Sequence, residues 1–204
     1  MWAALHAGFT WGDVVVVNGA GFTGNILLYG AIRSGTFQAI AIDRVLSNLD
    51  IALKLGATHI INASEVDPVA VINELTNGEG VDGAVEAIGG NGIGLVQALG
   101  MVGYNGTLAL YGDLYVQIKD FCCHRFHEDE LVVRNLNAVH YTKLRSIEHM
   151  REEFRGVQQG IFSLDIIFQN SVTYSLTDLP QVFQSETNEL ETQRSLKTII
   201  LPLD

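Results

Sequence analysis

Three glycines and one carboxylate carry the clearest chemistry in this sequence. Gly19, Gly21 and Gly24 fall in the spacing G-x-G-x-x-G, and Asp43 stands nineteen residues beyond the last of them. That arrangement suits a bound dinucleotide. Gly19 turns the chain sharply at a strand end, Gly21 lets the backbone approach a pyrophosphate, and Gly24 lets the following helix pack close to the strand. Phe22 and Thr23 lie at the helix start, whose free N–H groups and partial positive charge favour phosphates. Asp43 can accept hydrogen bonds from both ribose hydroxyls of an adenosine and would repel a 2′-phosphate. The sequence therefore favours NAD(H) over NADP. Arg44 is the counter-signal, because a neighbouring arginine can accommodate that phosphate.

A second group of reactive side chains gathers at Cys122, Cys123, His124, His127, Glu128 and Asp129. Thiolates and imidazoles suit zinc, but adjacent cysteines are awkward co-ligands and the usual two-residue gap is absent. A surface loop is the plainer reading, and no metal is expected here. His124 or His127 could still act as a general acid toward a carbonyl oxygen. The segment follows the fifth strand, on the side where a nicotinamide is expected. Tyr141 and Lys143 are one residue apart, too close for the tyrosine–lysine pair of short-chain reductases, and read as a helix start.

The elements that would position these groups alternate strand and helix. Asp13 leads into four valines, a run without polar alternation that suits a strand covered on both faces. Residues 1–12 read as a short helix and turn. Helices are expected over Phe22–Arg33, Leu46–Leu55, Asp67–Thr76 and Ile93–Met101, with Gly56 and Pro68 as end signals. Strands are expected over Phe37–Ile42, Thr58–Asn62, Val81–Ala87 and Thr107–Tyr111, with Gly103–Gly106 as a turn. Such β-α-β repetition predicts a parallel sheet wound on both faces. Beyond Gly112 the rhythm changes. Asp113–Asp129 reads as irregular, Glu130–Val139 as a sixth strand, and Lys143–Gln159 as a charged amphipathic helix. The tail reads as strand (Ile166–Tyr174), helix (Leu179–Gln184) and strand (Leu196–Leu201).

Composition narrows the partners. The chain has 204 residues, is 48% hydrophobic and carries a formal net charge of −11. That charge argues against nucleic acid and anionic membrane surfaces. No apolar run is long enough for a membrane span, and the first residues lack a basic region followed by an apolar core. The two cysteines are neighbours and do not make a disulfide scaffold, so a cytoplasmic protein is expected.

Several segments together resemble the cofactor-binding half of the medium-chain, zinc-type alcohol dehydrogenases. They are Ala4–Gly8 with Trp11–Asp13, Val14–Gly24, Ala41–Arg44, Ala52–Asn62, Gly78–Gly89, Gly106–Gly112 and Lys197–Pro202. The resemblance implies a doubly wound α/β fold: a six-stranded parallel Rossmann sheet (1–164) with a C-terminal strand–helix–strand appendage (165–204), a remnant of the family's catalytic domain. It implies NAD(H) binding and extends the cofactor lining to Ala87, Ile88, Gly89, Tyr111 and Gly112. In that family sixth strands often pair edge to edge, making Leu131–Ala138 a candidate dimer interface. The family's catalytic domain supplies most zinc ligands. No Gly-His-Glu segment and no cysteine quartet occurs in this sequence, so no catalytic zinc residue is carried onto it and zinc is not expected. His6 and His59 read as packing residues. Glu86 reads as a buried strand-end residue with a hydrogen-bond partner, and Trp2 and Trp11 as core or as a patch that the family's other domain covers.

The leading expectation is an NAD(H)-dependent oxidoreductase that reduces small aldehydes or ketones, or oxidises the alcohols, without the family's zinc site. The alternatives are a non-catalytic NAD-binding module or truncated subunit that needs a partner chain, and an assembly protein. A homo-oligomer, a dimer first, is expected.

Overall fold

The computed structural model describes residues 6–115, 124–136, 143–160, 165–168, 171–180, 182–183 and 197–201. Its centre is one six-stranded sheet in the order β3-β2-β1-β4-β5-β6, and every pairing is parallel. The strands are β1 (Val14–Asn18), β2 (Gln38–Asp43), β3 (His59–Asn62), β4 (Val81–Glu86), β5 (Val102–Leu110) and β6 (Val132–Asn135). The helices between them are α1 (Phe22–Arg33), α2 (Leu46–Leu55), α3 (Pro68–Leu75), α4 (Ile93–Met101) and the short α5 (His124–Glu128).

The valine run shows why the sheet is covered on both faces. Val15 and Val17 enter one core with Leu27 and Leu28 of α1 and Leu49 and Ala52 of α2. Val16 points the other way, into a core with Ile72 of α3 and Leu95, Ala98 and Leu99 of α4. All three valines are fully buried. A strand with apolar partners on both sides has no solvent face to mark with polar residues. The order reverses between β1 and β4, so α1 and α4 leave toward opposite faces and open a crevice at the carboxyl ends of the strands.

Helix ends follow local chemistry. Gly56 closes α2 in the left-handed conformation, at φ 106°. Asp67 caps α3 by accepting a hydrogen bond from the Val69 N–H, and so stands outside the helix that it was expected to begin.

Several expected boundaries are corrected. The turn expected at Gly103–Gly106 lies inside β5. There the register slips between Val81 and Gly83, which pair with Val102 and Thr107, and Asn105 takes φ 55°. The extra residues bulge out, and the Asn105 N–H donates to the Asp129 carbonyl at 2.6 Å. Part of the stretch expected to be irregular is α5. The sixth strand is shorter than expected: Glu130, at φ 50°, stands outside it, and residues 137–139 lie outside the described residues. After β6 come α6 (Lys143–Gln158) and α7 (Asp165–Phe168).

The tail contains a parallel two-stranded sheet of β7 (Ser171–Ser175) and β8 (Lys197–Leu201), with a 3-10 turn at Leu176–Asp178 between them. The strand expected from Ile166 begins later. Ile167 is buried against Ile51 and Leu55 of α2, with Phe22, Ile26 and Tyr29 of α1 packed alongside, and a helical turn aims it there.

Candidate dinucleotide site at the carboxyl ends of the strands

The glycine turn joins β1 to α1 at the crevice. Gly19 has φ 104°, which a side chain would strain, and its N–H donates to the Ile42 carbonyl at 2.9 Å. A Cβ on Gly24 would overlap the Gly19 carbonyl oxygen. The helix can therefore sit this close to the strand only with glycine at that position. Among the described residues, a Cβ on Gly21 would meet nothing within 4 Å, so they leave space over the turn. Gly21 is also the N-cap of α1, and no side chain caps that helix. A twelve-residue helix with an uncapped start and free space above it suits an anionic group.

Asp43, the last residue of β2, reaches back to this turn. Its Oδ2 accepts the Ala20 N–H at 2.8 Å and its Oδ1 accepts the Val45 N–H at 2.9 Å. A carboxylate offers about four lone-pair sites. Two are used on the backbone, and acceptor capacity remains for ribose hydroxyls. Arg44 beside it is exposed. Asn25 braces the turn from below: it is fully buried, and its Nδ2 donates to the Ala20 and Asn48 carbonyls.

The other strand ends close the site. The Ala87 N–H donates to the Asn18 carbonyl at 2.9 Å. Ile88 packs on Gly19: its Cγ1 lies 2.9 Å from where a Cβ on Gly19 would stand. Buried Gly89 lies against Gly112 and Asp113. The Tyr111 and Gly112 N–H groups both donate to the Glu86 carbonyl, at 2.9 and 3.0 Å. Gly19, Gly21, Phe22, Thr23, Gly24, Asp43, Arg44, Ala87, Ile88, Gly89, Tyr111 and Gly112 thus share one end of the sheet. Ile88 and Tyr111 leave apolar surface exposed there, at 49% and 39%. Next to them Tyr115 donates its hydroxyl to Asp113 at 2.7 Å. That hydrogen bond, with the carboxylate's charge, raises the tyrosine pKa above its usual value.

The side expected for His124 and His127 is corrected. Both lie on α5, which Arg125 ties to the amino ends of the strands. Its guanidinium donates to the carbonyls of Leu99 and Val102, and its Nε pairs with Asp129 at 2.6 Å. The His124 ring pairs with Glu128 at 2.9 Å, largely in solvent. Six-residue β4 puts about 16 Å between the two ends of the sheet. Cys122 and Cys123 lie outside the described residues, as do Tyr141 and Trp2. Among the described residues no group of three or more histidine, cysteine, aspartate or glutamate side chains is placed to hold a metal ion. Trp11 is 85% exposed, which removes the core reading for it.

One residue at this end escaped the sequence reading. The ammonium of Lys197, at the start of β8, sits over the Phe22 ring, 5.1 Å from its centre. Phe22 is the first residue of α1, so a cation from the tail stands beside the glycine turn. Phe168 packs on the same ring at 5.6 Å. A lone lysine heading a strand has no spacing to mark it; only the packing of the tail brings it here.

Comparison with known proteins agrees with this architecture. The zinc-binding dehydrogenase family matches residues 23–158. L-threonine 3-dehydrogenase of Bacillus licheniformis is 40% identical over 108 residues, which are 52% of this chain and 31% of that protein. Sorbitol dehydrogenase of Bacillus subtilis is 38% identical over 101 residues, 50% of this chain and 28% of that one. Among solved structures, benzyl alcohol dehydrogenase of Acinetobacter calcoaceticus superposes with TM-score 0.78 at 28% identity, covering 98% of this chain and 54% of that protein. An alcohol dehydrogenase zinc-binding domain protein of Burkholderia ambifaria gives TM-score 0.77 at 27% identity, covering 97% and 51%. The chain thus spans about a third of the curated relatives and about half of the solved ones. With a match over residues 23–158 of 204, this protein belongs to the zinc-binding dehydrogenase family.

Proposed function

We propose that the chain binds NAD(H) across the carboxyl ends of its sheet and serves an oxidoreductase acting on small alcohols or carbonyl compounds. The observation that carries this is the Gly19–Gly24 turn: open over Gly21, uncapped at α1, and tied to Asp43. The names of the relatives, dehydrogenases of threonine, sorbitol and benzyl alcohol, support the substrate class. When bound, the nicotinamide supplies hydride chemistry. The chain's own part is to hold and orient it. The α1 N–H groups and Lys197 hold the diphosphate. Asp43 holds the adenosine ribose and disfavours a 2′-phosphate, with Arg44 alongside. Ala87–Gly89, Tyr111 and Gly112 border the nicotinamide half and keep water from one side of it.

Ile167 of α7 packs against α2 with α1 alongside, and Lys197 of β8 sits over Phe22 of α1. Trp11 and the tail belong to the surface that a catalytic domain, or a partner chain, would cover. The sheet edge at β6 supports a homodimer, since all four of its residues are exposed and it ends the strand order. Among the described residues no helix is long and apolar enough to cross a membrane.

The test is titration of the chain with NADH and NADPH, followed by nicotinamide fluorescence. Saturable binding of NADH, tighter than that of NADPH, is expected. Asp43→Ala should weaken NADH by about tenfold, the value of one lost charged hydrogen-bond partner, and bring the two cofactors together. A flat titration with both cofactors rules the reading out.

A further inference from the structure

Glu86 is fully buried, yet it faces no cation among the described residues. Four N–H groups converge on it. Its side-chain Oε1 accepts those of Ile88 and Gly89, at 2.9 and 2.7 Å. Its main-chain carbonyl accepts those of Tyr111 and Gly112. The neighbours make room for it: a Cβ on Gly112 would overlap Oε2, and a Cβ on Gly94 would stand 2.5 Å from Oε1. Gly94 belongs to the first turn of α4, whose positive end favours a carboxylate. Asn18, paired with Glu86 across β1 and β4, holds the same turn by donating to the Gly94 carbonyl at 3.2 Å and to Gln97 at 3.1 Å. The second carboxylate oxygen, Oε2, has no hydrogen-bond partner among the described residues.

A buried carboxylate is expensive, and a strand end does not need one to hold a turn. What this one does is hold residues 88–89 through charge-assisted bonds from its side chain, beside the strand end 111–112 that the main chain at 86 receives. We infer that Glu86 is a positioning residue that clamps the loop 87–89 against the strand end 111–112 and so presets the border of the nicotinamide half of the site. It touches no ligand itself, because it is fully buried, with its oxygens packed against Gly94 and Gly112. The adenosine half depends on the 19–24 turn and Asp43, which Glu86 does not contact through any bond described above.

The inference rests on the dinucleotide reading, and two probes separate the halves of the site. ADP carries the adenosine and diphosphate; NADH adds the nicotinamide riboside. Both are titrated by calorimetry into the parent chain, Glu86→Ala and Glu86→Gln. In Glu86→Ala, ADP affinity should stay within about twofold while NADH weakens about tenfold, a difference confined to one half of the ligand. Glu86→Gln keeps an acceptor without the charge, so the NADH loss should shrink to about threefold. Its Ile88 and Gly89 amides should exchange faster while those of β1 do not. If the alanine variant does not fold, the glutamine variant decides alone. An unchanged NADH-to-ADP ratio overturns the inference, and so does a parallel fall of both affinities, which would mark a merely structural role. A parent chain that binds neither probe instead removes the dinucleotide reading itself.

Discussion

The two ends of the sheet are built from the same strands and do opposite things. At the carboxyl end, hydrogen-bonding groups are left unused among the described residues: the uncapped start of α1 at the bare Gly21, and lone-pair sites on the Asp43 carboxylate. At the amino end, similar groups are consumed internally. Arg125 spends its guanidinium on the carbonyls of Leu99 and Val102 and on Asp129, and Asp82 accepts the Val14 N–H. A cavity of about 560 Å³ also lies at that end, lined by Glu79, Asp82, Arg125 and Asp129 among others, but its cation is already satisfied. On the proposed function, reactive residue types mark the site poorly, and unspent hydrogen-bonding capacity marks it better.

The contrast breaks most severely at Gly24. Gly24→Ala puts a methyl group against the Gly19 carbonyl oxygen, and either the turn or α1 must move. Overpacking of this kind costs about 3 kcal/mol, and the displaced turn should lose NADH affinity beyond detection at millimolar ligand. The same change at Gly21, which faces open space, should leave thermal stability near the parent's. Equal melting temperatures for Gly24→Ala and Gly21→Ala would contradict the geometry of the turn.

Arg125→Ala should do the reverse at the other end. Three acceptors lose a charged partner at a part-buried site, a destabilisation of about 2 kcal/mol by urea denaturation. NADH affinity should stay unchanged, because α5 sits at the far end of the strands. A large loss of NADH binding without loss of stability would mean that the amino end belongs to the ligand site after all.

Much of this was legible in the sequence, for identifiable reasons. The four valines, the glycine spacing and Asp43 act locally, through strand burial and turn geometry, and α1, α2 and α4 span the residues expected of them. Failures occurred where distant contacts decide. The glycines at 103 and 106 read as a turn, but pairing with β4 draws them into a bulged strand. Ile166 and Ile167 read as strand, but the cluster on α1 and α2 turns them helical. Chain order after β5 points His124 and His127 toward the carboxyl end, but Arg125 ties the segment to the opposite end. Lys197 lies in a segment that carries the resemblance, but nothing local places its side chain beside α1.

Lys197→Ala sharpens the carboxyl end with a smaller effect. The lysine is a single cation held over Phe22, and it should add to diphosphate binding mainly through charge. A loss of about fivefold in both ADP and NADH affinity is expected, shrinking as salt rises from about 0.05 to 0.5 M. Lys197→Arg should restore most of it. An effect on NADH alone would place the lysine near the other half of the ligand.

The smallest effect comes from two tyrosine–carboxylate pairs, one on each end. Tyr115 donates to Asp113 at the carboxyl end, and Tyr104 donates to Glu130 at 2.8 Å at the amino end. In each case the hydrogen bond first, and the charge second, raises the tyrosine pKa. A raised value means the folded protein holds that proton more tightly than the unfolded chain. The small stabilisation is complete below the unfolded value of about 10 and is lost as pH climbs through the folded one. Asp113→Asn should lower the Tyr115 midpoint toward the ordinary value and leave Tyr104 alone; Glu130→Gln should do the converse, both read by NMR of labelled tyrosine. NADH then separates the ends. Its phosphates bring negative charge to the carboxyl end, so Tyr115 should titrate higher still, while Tyr104, at the end where hydrogen bonds are already spent, should not move. A shift at Tyr104 with none at Tyr115 would put the ligand at the wrong end of the sheet.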